Sequence, residues 1–283
     1  WLSFACGTLA LFLLASLRGA NLERVRAYLD QNRAIWLVSA ITLVVIALIA
    51  WLASLRIVGM NPAEEDFWYG AGVPVLAWQV LTAILFGLGA AWAEKTFLHN
   101  GTKEIVERVP VDILVFVIVW AIAAAAWAQA PLLSNFMISR PYPPNFEVYP
   151  AADGQSYDIA SQYALIGEGL FNSGEMRAYF ERPLYAAFLF YLHVIGGQDF
   201  AHLLNLQAAI FAVFPALAYL IVRNIHSRAA GITLATLLTL RGVNGLASGG
   251  VLESSTQKMF LTDFPAAIGL ALILLLAIRW AQQ

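Results

Sequence analysis

Apolar residues run in long stretches along this chain, and charged residues gather between them. Seven stretches approach the roughly 20 residues a helix needs to cross a bilayer. They are Trp1–Leu17, Ile35–Leu55, Val73–Ala93, Val111–Gln129, Leu203–Val222, Ala229–Ala247 and Phe264–Ile278. The first is short because the chain starts inside it. An eighth stretch, Leu184–Ile195, is too short to span easily and reads as a helix lying beside the membrane. The pattern predicts an all-α polytopic bundle in three parts: four spans in 1–130, a long polar loop in 131–202, and three spans in 203–283.

Basic residues orient the bundle, because cytoplasmic loops carry the excess of Lys and Arg. One set of alternate loops holds Arg18, Arg24, Arg26, Arg33, Lys95, Lys103, Arg108, Arg223, Arg228 and Arg279. The other holds Arg56, Arg140, Arg177, Arg182 and Lys258 over much longer loops. The first set is therefore expected inside, which puts Pro131–His202 and Ser248–Thr262 together outside. If Leu184–Ile195 spanned, the basic turn from Arg223 to Arg228 would move outside. That turn argues for a juxtamembrane helix instead.

Composition agrees with lipid as the solvent. The chain is 60% hydrophobic and 12% charged, against about 25% charged in a soluble domain. A net charge of −2 provides no basic field for nucleic acid. The single cysteine, Cys6, has no partner for an internal disulfide. The chain begins inside one apolar run and ends directly after another, so both ends are expected to be cuts through a longer protein. Glu64, Glu65 and Asp66 beside Phe67, Trp68 and Tyr69 read as a solvated loop with an interfacial aromatic belt. Asn100-Gly101-Thr102 falls in an inner loop and is discounted as a glycosylation site.

Candidate chemistry sits in the long loop. Pro141-Tyr142-Pro143-Pro144 favours extended chain. A helix is expected after Gly154, with Tyr157, Ala160 and Ala164 on one face and Ile159, Tyr163 and Ile166 on another. Gly167-Glu168-Gly169 ends it. Asp153 stands where an N-cap is expected, and Asp158 on its own reads as part of a solvated face. Arg182-Pro183-Leu184-Tyr185 opens the short apolar helix, with Pro at its first position. An Arg beside a helix N-terminus also suits an anion. Arg241 lies twelve residues beyond Ala229, about 18 Å into its span at 1.5 Å per residue. It either faces a cavity or snorkels to the outer interface. Gly242, Asn244 and Gly245 suggest a helix that loosens there. Lys258 is a further outer cation. Asp263 begins the last span, as a cap or dipole partner. His193 and His202 lack metal-ligand spacing, and His193 reads as part of an aromatic-rich helix face.

The order of these features resembles the first extracytoplasmic loop of the C-type fold (GT-C) glycosyltransferases. The pattern is closest to bacterial proteins similar to protein O-mannosyltransferases and lipid A aminoarabinose transferases. Their acidic residue, Tyr, Ala-rich helix and basic-Pro-Pro-Leu-Tyr segment correspond to Asp153, Tyr157, Ala160 and Arg182-Pro183-Leu184-Tyr185. The likeness continues through Tyr219–Asn224 to Thr262-Asp263-Phe264-Pro265 and covers roughly Tyr142 to Ile278. It departs in having four spans before the loop, one Pro where the family has two, and Gly154 where many members carry a second acid.

What the resemblance implies is a GT-C-like integral membrane glycosyltransferase of a bacterial inner membrane, working on the outer face from a polyprenyl-phosphate-linked sugar. Asp153 would be the base, with Asp158 as the alternative. Arg182, Arg241 and Lys258 would meet the donor phosphate. Tyr157, Tyr185 and Asp263 would line the acceptor side. No metal ligand is assigned, although a divalent metal remains compatible with such sites. Partners would be membrane lipid, the lipid-linked sugar and other membrane proteins. A non-catalytic subunit of a larger assembly is the alternative, and a transporter a more distant one.

Overall fold

The computed structural model describes residues 75–99, 111–134, 136–169, 182–248 and 257–282, with isolated positions Glu23, Ile41, Val44, Val45, Leu48 and Trp51. Apart from those positions, the expected spans Trp1–Leu17 and Ile35–Leu55 lie outside the described residues. So do Glu64, Glu65, Asp66 and Asn100.

Eight helices occur among the described residues: α1 (Ala77–His99), α2 (Val111–Gln129), α3 (Ala152–Leu165), α4 (Pro183–Gly196), α5 (Phe200–Phe211), α6 (Val213–Ile225), α7 (Arg228–Ser248) and α8 (Asp263–Gln282). Among the described residues, five helical stretches are long and apolar enough to cross a membrane: Ala77–Thr96, Val111–Gln129, Phe200–Ile225, Arg228–Ala247 and Asp263–Gln282. The protein is an all-helical integral membrane protein in this sense. The outward side chains of α1, including Trp78, Leu81, Leu85, Leu88 and Trp92, are exposed and apolar. In water that surface would be a liability; in hydrocarbon it costs nothing.

The stretch expected as one span from Leu203 to Val222 is one helical stretch, Phe200–Ile225, with a turn at Ala212 between α5 and α6. Pro215 is the physical reason. It has no N–H to offer the Phe211 carbonyl, and its ring crowds that oxygen. The helical bonding still reaches Ala212, whose N–H bonds Ala208 O at 3.0 Å, so the chain kinks there and does not end.

α6 is the central element and packs against α2, α7 and α8, while α1 packs on α7. Small residues allow the close crossings, as lipid-embedded helices require. A Cβ at Gly87 of α1 would lie 2.1 Å from Thr233 Oγ1 of α7. A Cβ at Gly242 of α7 would lie 2.5 Å from Trp127 Nε1 of α2. That indole donates to Thr239 O at 3.0 Å. Gly242 thus serves packing, and α7 continues through Gly245 to Ser248 without the expected loosening.

The two ends of the bundle differ. One end collects Glu94, Asp112, Arg223 and Arg228 in a shared ion-pair network. The opposite end carries α3 and α4, which pack against each other, and α4 in turn lies on α5. α4 has 14 residues, about 21 Å at 1.5 Å per residue, less than the roughly 30 Å of hydrocarbon. Its buried face is Tyr185, Ala186, Leu189, Leu192 and His193. Leu184, Tyr191, Val194 and Ile195 on its other faces are exposed.

Candidate functional site

The site is built where α3, α4, α5 and the start of α8 meet. A short hairpin leads in: Ser139 N bonds to Tyr149 O and Ala151 N to Met137 O, each at 2.9 Å. That second bond fixes Ala151 as the extended N-cap residue of α3, with no side-chain cap. The helix accordingly starts at Ala152, earlier than the sequence pattern suggests. Asp153 therefore does not cap α3; it stands in its first turn, where a negative charge suits the helix dipole. The Asp153 side chain is exposed. The next residue, Gly154, is buried against the backbone of Phe260, so the Asp153 turn abuts the segment leading into Asp263.

The buried face of α3 is Gly154, Tyr157, Ala160 and Ser161. The Tyr157 ring meets that of Tyr185 edge-on at 5.5 Å. The Arg182 guanidinium lies over the Tyr157 ring, 5.3 Å from its centroid. From Tyr185 an aromatic ladder crosses the molecule. It runs through Phe188 (5.9 Å), Phe211 (5.6 Å) and Phe264 (5.4 Å) to Trp127 (5.9 Å). This ladder supports one wall of a cavity of about 470 Å³, lined by Arg182, Tyr185, Phe188, Phe211, Thr262 and Pro265 among others. The lining is mostly apolar, with Arg182 as its charged member. The N-termini of α4 and α8 both contribute to it.

Tyr185 is fully buried, and its hydroxyl donates to Gln207 Oε1 at 3.0 Å. Gln207 Nε2 donates in turn to the carbonyls of Gln257 (2.9 Å) and Met259 (2.8 Å). Burial first, then the negative charges of Asp158 and Asp263, push the Tyr185 phenol well above its ordinary range. It stays a hydrogen-bond donor. The same relation places Asp158 and Asp263 within electrostatic reach of Tyr185.

Asp158 is not on a solvated face. Its carboxylate bonds His193 Nε2 at 2.7 Å, and His193 Nδ1 faces Gly197 O at 3.0 Å. Gln162, one turn further along α3, donates to Gln198 Oε1 at 2.8 Å. His193 is buried. Burial alone would lower its pKa, but the Asp158 hydrogen bond and charge and the Gly197 carbonyl outweigh it and raise the pKa.

Two expected phosphate contacts lie elsewhere. Lys258 is buried, and its Nζ donates to Ala128 O at 2.9 Å and also to Ala130 O, at the C-terminal end of α2. Burial lowers its pKa. Arg241 is exposed on α7, which packs against α1, α2 and α6; it does not line the cavity. Arg182, Tyr157, Tyr185, Asp158 and Asp263 are thus brought together, with Asp153 at the edge.

Sequence reasoning read His193 as part of an aromatic-rich helix face and missed its bond to Asp158, and it did not single out Gln162, Gln198 or Gln207. A histidine and a glutamine inside strongly apolar helices were the available signal, because a buried polar group needs a partner. Among the described residues no three of His, Cys, Asp and Glu converge as a metal site. No known protein family, curated protein or solved structure matches the chain.

Proposed function

We propose that this is an integral membrane glycosyltransferase that moves a sugar from a polyprenyl-phosphate donor to an acceptor. The reaction would take place at the membrane face carrying α3 and α4, which the distribution of Lys and Arg makes the extracytoplasmic one. The observation that carries this reading is the apolar cavity whose charged lining residue is Arg182. An isoprenoid phosphate combines a hydrocarbon chain with an anionic head, and the cavity offers a counterpart to each. The guanidinium and two helix N-termini suit the phosphate. Leu184, Phe188 and Phe211 suit the chain.

The chemistry assigns further roles. A phosphate leaving group needs positive charge, and Arg182 supplies it. The acceptor hydroxyl needs a base. Asp153 is exposed in the first turn of α3 and serves as that base, whereas Asp158 is already bonded to His193. Asp263 and Tyr185 line the acceptor side, Tyr185 through its ring, because its hydroxyl is held by Gln207. A single in-line displacement inverts the anomeric carbon. Lys258 and Arg241 have no part in this scheme.

The test uses the full chain in lipid nanodiscs with decaprenyl-phosphoryl mannose, glucose and arabinose, and follows release of decaprenyl phosphate. Asp153→Asn should lower release by about 10²–10⁴-fold, the usual worth of a general base. Arg182→Gln should weaken decaprenyl phosphate binding. Undiminished release in Asp153→Asn overturns the base assignment. No release from any donor, together with no binding of decaprenyl phosphate, overturns the function.

A further inference from the structure

Asp158 and His193 join α3 to α4 through a contact that the proposed chemistry does not use. We propose that they are a positioning pair, a carboxylate–imidazolium clasp that holds the Tyr157 ring beneath Arg182 and so sets the guanidinium at the cavity mouth. The clasp stands on geometry alone; its effect on a phosphate ligand rests on the function proposed above.

The geometry specifies the charge state. His193 Nε2 lies 2.7 Å from a carboxylate oxygen of Asp158, and Nδ1 lies 3.0 Å from the Gly197 carbonyl. The two nearest neighbours are acceptors, and a neutral imidazole has only one N–H; the Gln162 amide nitrogen lies farther from Nε2, at 3.3 Å, and donates to Gln198 Oε1 at 2.8 Å. Satisfying both requires the cation. A buried cation is sustained by a paired carboxylate, and Asp158 is that group. Gly197 follows the last residue of α4, and its N–H returns to His193 O at 2.8 Å. The imidazolium thus also sits at a helix C-terminus, where positive charge is favoured.

Other charged groups around the pair are engaged or distant. From α5, Asp199 accepts from His202 N at 3.1 Å as the N-cap, and the exposed His202 ring is the titratable neighbour, 3.5 Å from where a Cβ at Gly196 of α4 would lie. On α3, Asp153 stands at the opposite end, in the first turn. On α4, the charged residue is Arg182, eleven positions before His193, about 16 Å along the axis at 1.5 Å per residue.

The path to Arg182 is short. Asp158 is one peptide unit from Tyr157. Tyr157 contacts Tyr185 edge-on, and Tyr185 lies on the same buried face of α4 as His193. Two contacts at different heights therefore fix how α3 and α4 cross, with the Gln162–Gln198 bond beside the second. Arg182 rests on the face of the Tyr157 ring. Release of Asp158 frees the turn of α3 that carries this platform.

The test measures decaprenyl phosphate affinity between about pH 6 and about pH 9, a range bracketing the ordinary His value of about 6.5. It also measures amide hydrogen exchange across residues 184–188 over the same range. The proteins are the wild type, Asp158→Asn, His193→Gln and the double variant, all full chains in nanodiscs. Each single variant should lose about tenfold in affinity at the acid end, the scale of one charged hydrogen bond. The double variant should lose no more than either. Wild-type affinity should fall toward the alkaline end relative to the His193→Gln series, which reports the ligand's own titration. Exchange should quicken in both single variants and in alkaline wild type.

Wild-type affinity and exchange in the single variants would overturn the clasp, as would multiplying effects in the double variant. If wild type binds no decaprenyl phosphate and releases none from any donor, the proposed function falls; whenever binding is absent, exchange alone decides the clasp. If the variants do not fold, the wild-type exchange series decides it, and a flat series overturns it.

Discussion

The Lys258 ammonium donates to the carbonyl oxygen of Ala128 at 2.9 Å, reaching across from the α7–α8 connection to the end of α2. A helix C-terminus leaves carbonyls without intrahelical partners, and Lys258 also takes that of Ala130. A buried cation placed there caps the helix and ties the connection to it. Lys258→Met should lower unfolding stability by about 2 kcal/mol, the cost of leaving buried acceptors unpaired. It should leave decaprenyl phosphate affinity unchanged below the unfolding temperature. Lost affinity with unaltered thermal unfolding in detergent would instead return Lys258 to the phosphate.

That contrast shows where sequence reading reaches and where it stops. The ends of α2 and of α7 are legible because long apolar runs are bounded by charge: Asp112 opens one and Arg228 the other. α4 is legible for the same reason, with Pro183 marking its start. Contacts between distant positions are not. Asp158 and His193 are 35 residues apart, and Lys258 and Ala128 are 130 apart. No periodicity encodes either pair. Asp153 looked like a cap because its residue type suits one. The hairpin bond from Ala151 to Met137, which sets the true start of α3, cannot be seen from local pattern. The turn at Ala212 is signalled by Pro215 but masked by the apolar run around it, which spans as one stretch.

Gly87 and Gly89 form a matched pair on α1. A Cβ at Gly87 would lie 2.1 Å from Thr233 Oγ1 and 3.0 Å from Ala229 O, whereas a Cβ at Gly89 meets nothing within 4 Å. Thr233 cannot easily turn away, since its hydroxyl is bonded to Ala229 O at 3.0 Å and its β-branch restricts χ1. Gly87→Ala should destabilise by about 1–3 kcal/mol through overpacking. Gly89→Ala should be neutral or stabilise by up to about 1 kcal/mol through helix propensity. Thermal unfolding of the two variants in one detergent checks the difference.

Asp112 is the hub of the ionic end. Its carboxylate accepts from Tyr219 Oη and from Arg228 Nε, both at 2.8 Å, and pairs with Arg223. Arg228 also bonds Glu94 at 2.7 Å, which draws in α1. These side chains are a fifth to a third exposed, so solvent screens part of each pair. Tyr219→Phe should cost about 1 kcal/mol, one hydrogen bond to a charged group. Asp112→Asn should cost about 2–3 kcal/mol, since it leaves both arginines without their shared anion. A double-mutant cycle of Asp112→Asn with Arg228→Met should show strong coupling, and additive effects would contradict the network.

The pH dependence of stability should separate His193 from Lys258, because their shifts have opposite consequences. The folded pKa of His193 is raised above 6.5 by Asp158 and the Gly197 carbonyl. Its stabilisation is therefore full below about 6.5 and is lost as pH rises through the folded value. The folded pKa of Lys258 is lowered from 10.5 by burial. The unfolded chain then holds the extra proton, so stability rises with pH between the lowered value and about 10.5. Wild-type thermal stability should decline as pH rises above the ordinary His value of about 6.5, and His193→Gln should remove that decline. Lys258→Met should leave the neutral decline in place and change only the alkaline limb. A neutral decline that survives His193→Gln would show that another group carries it.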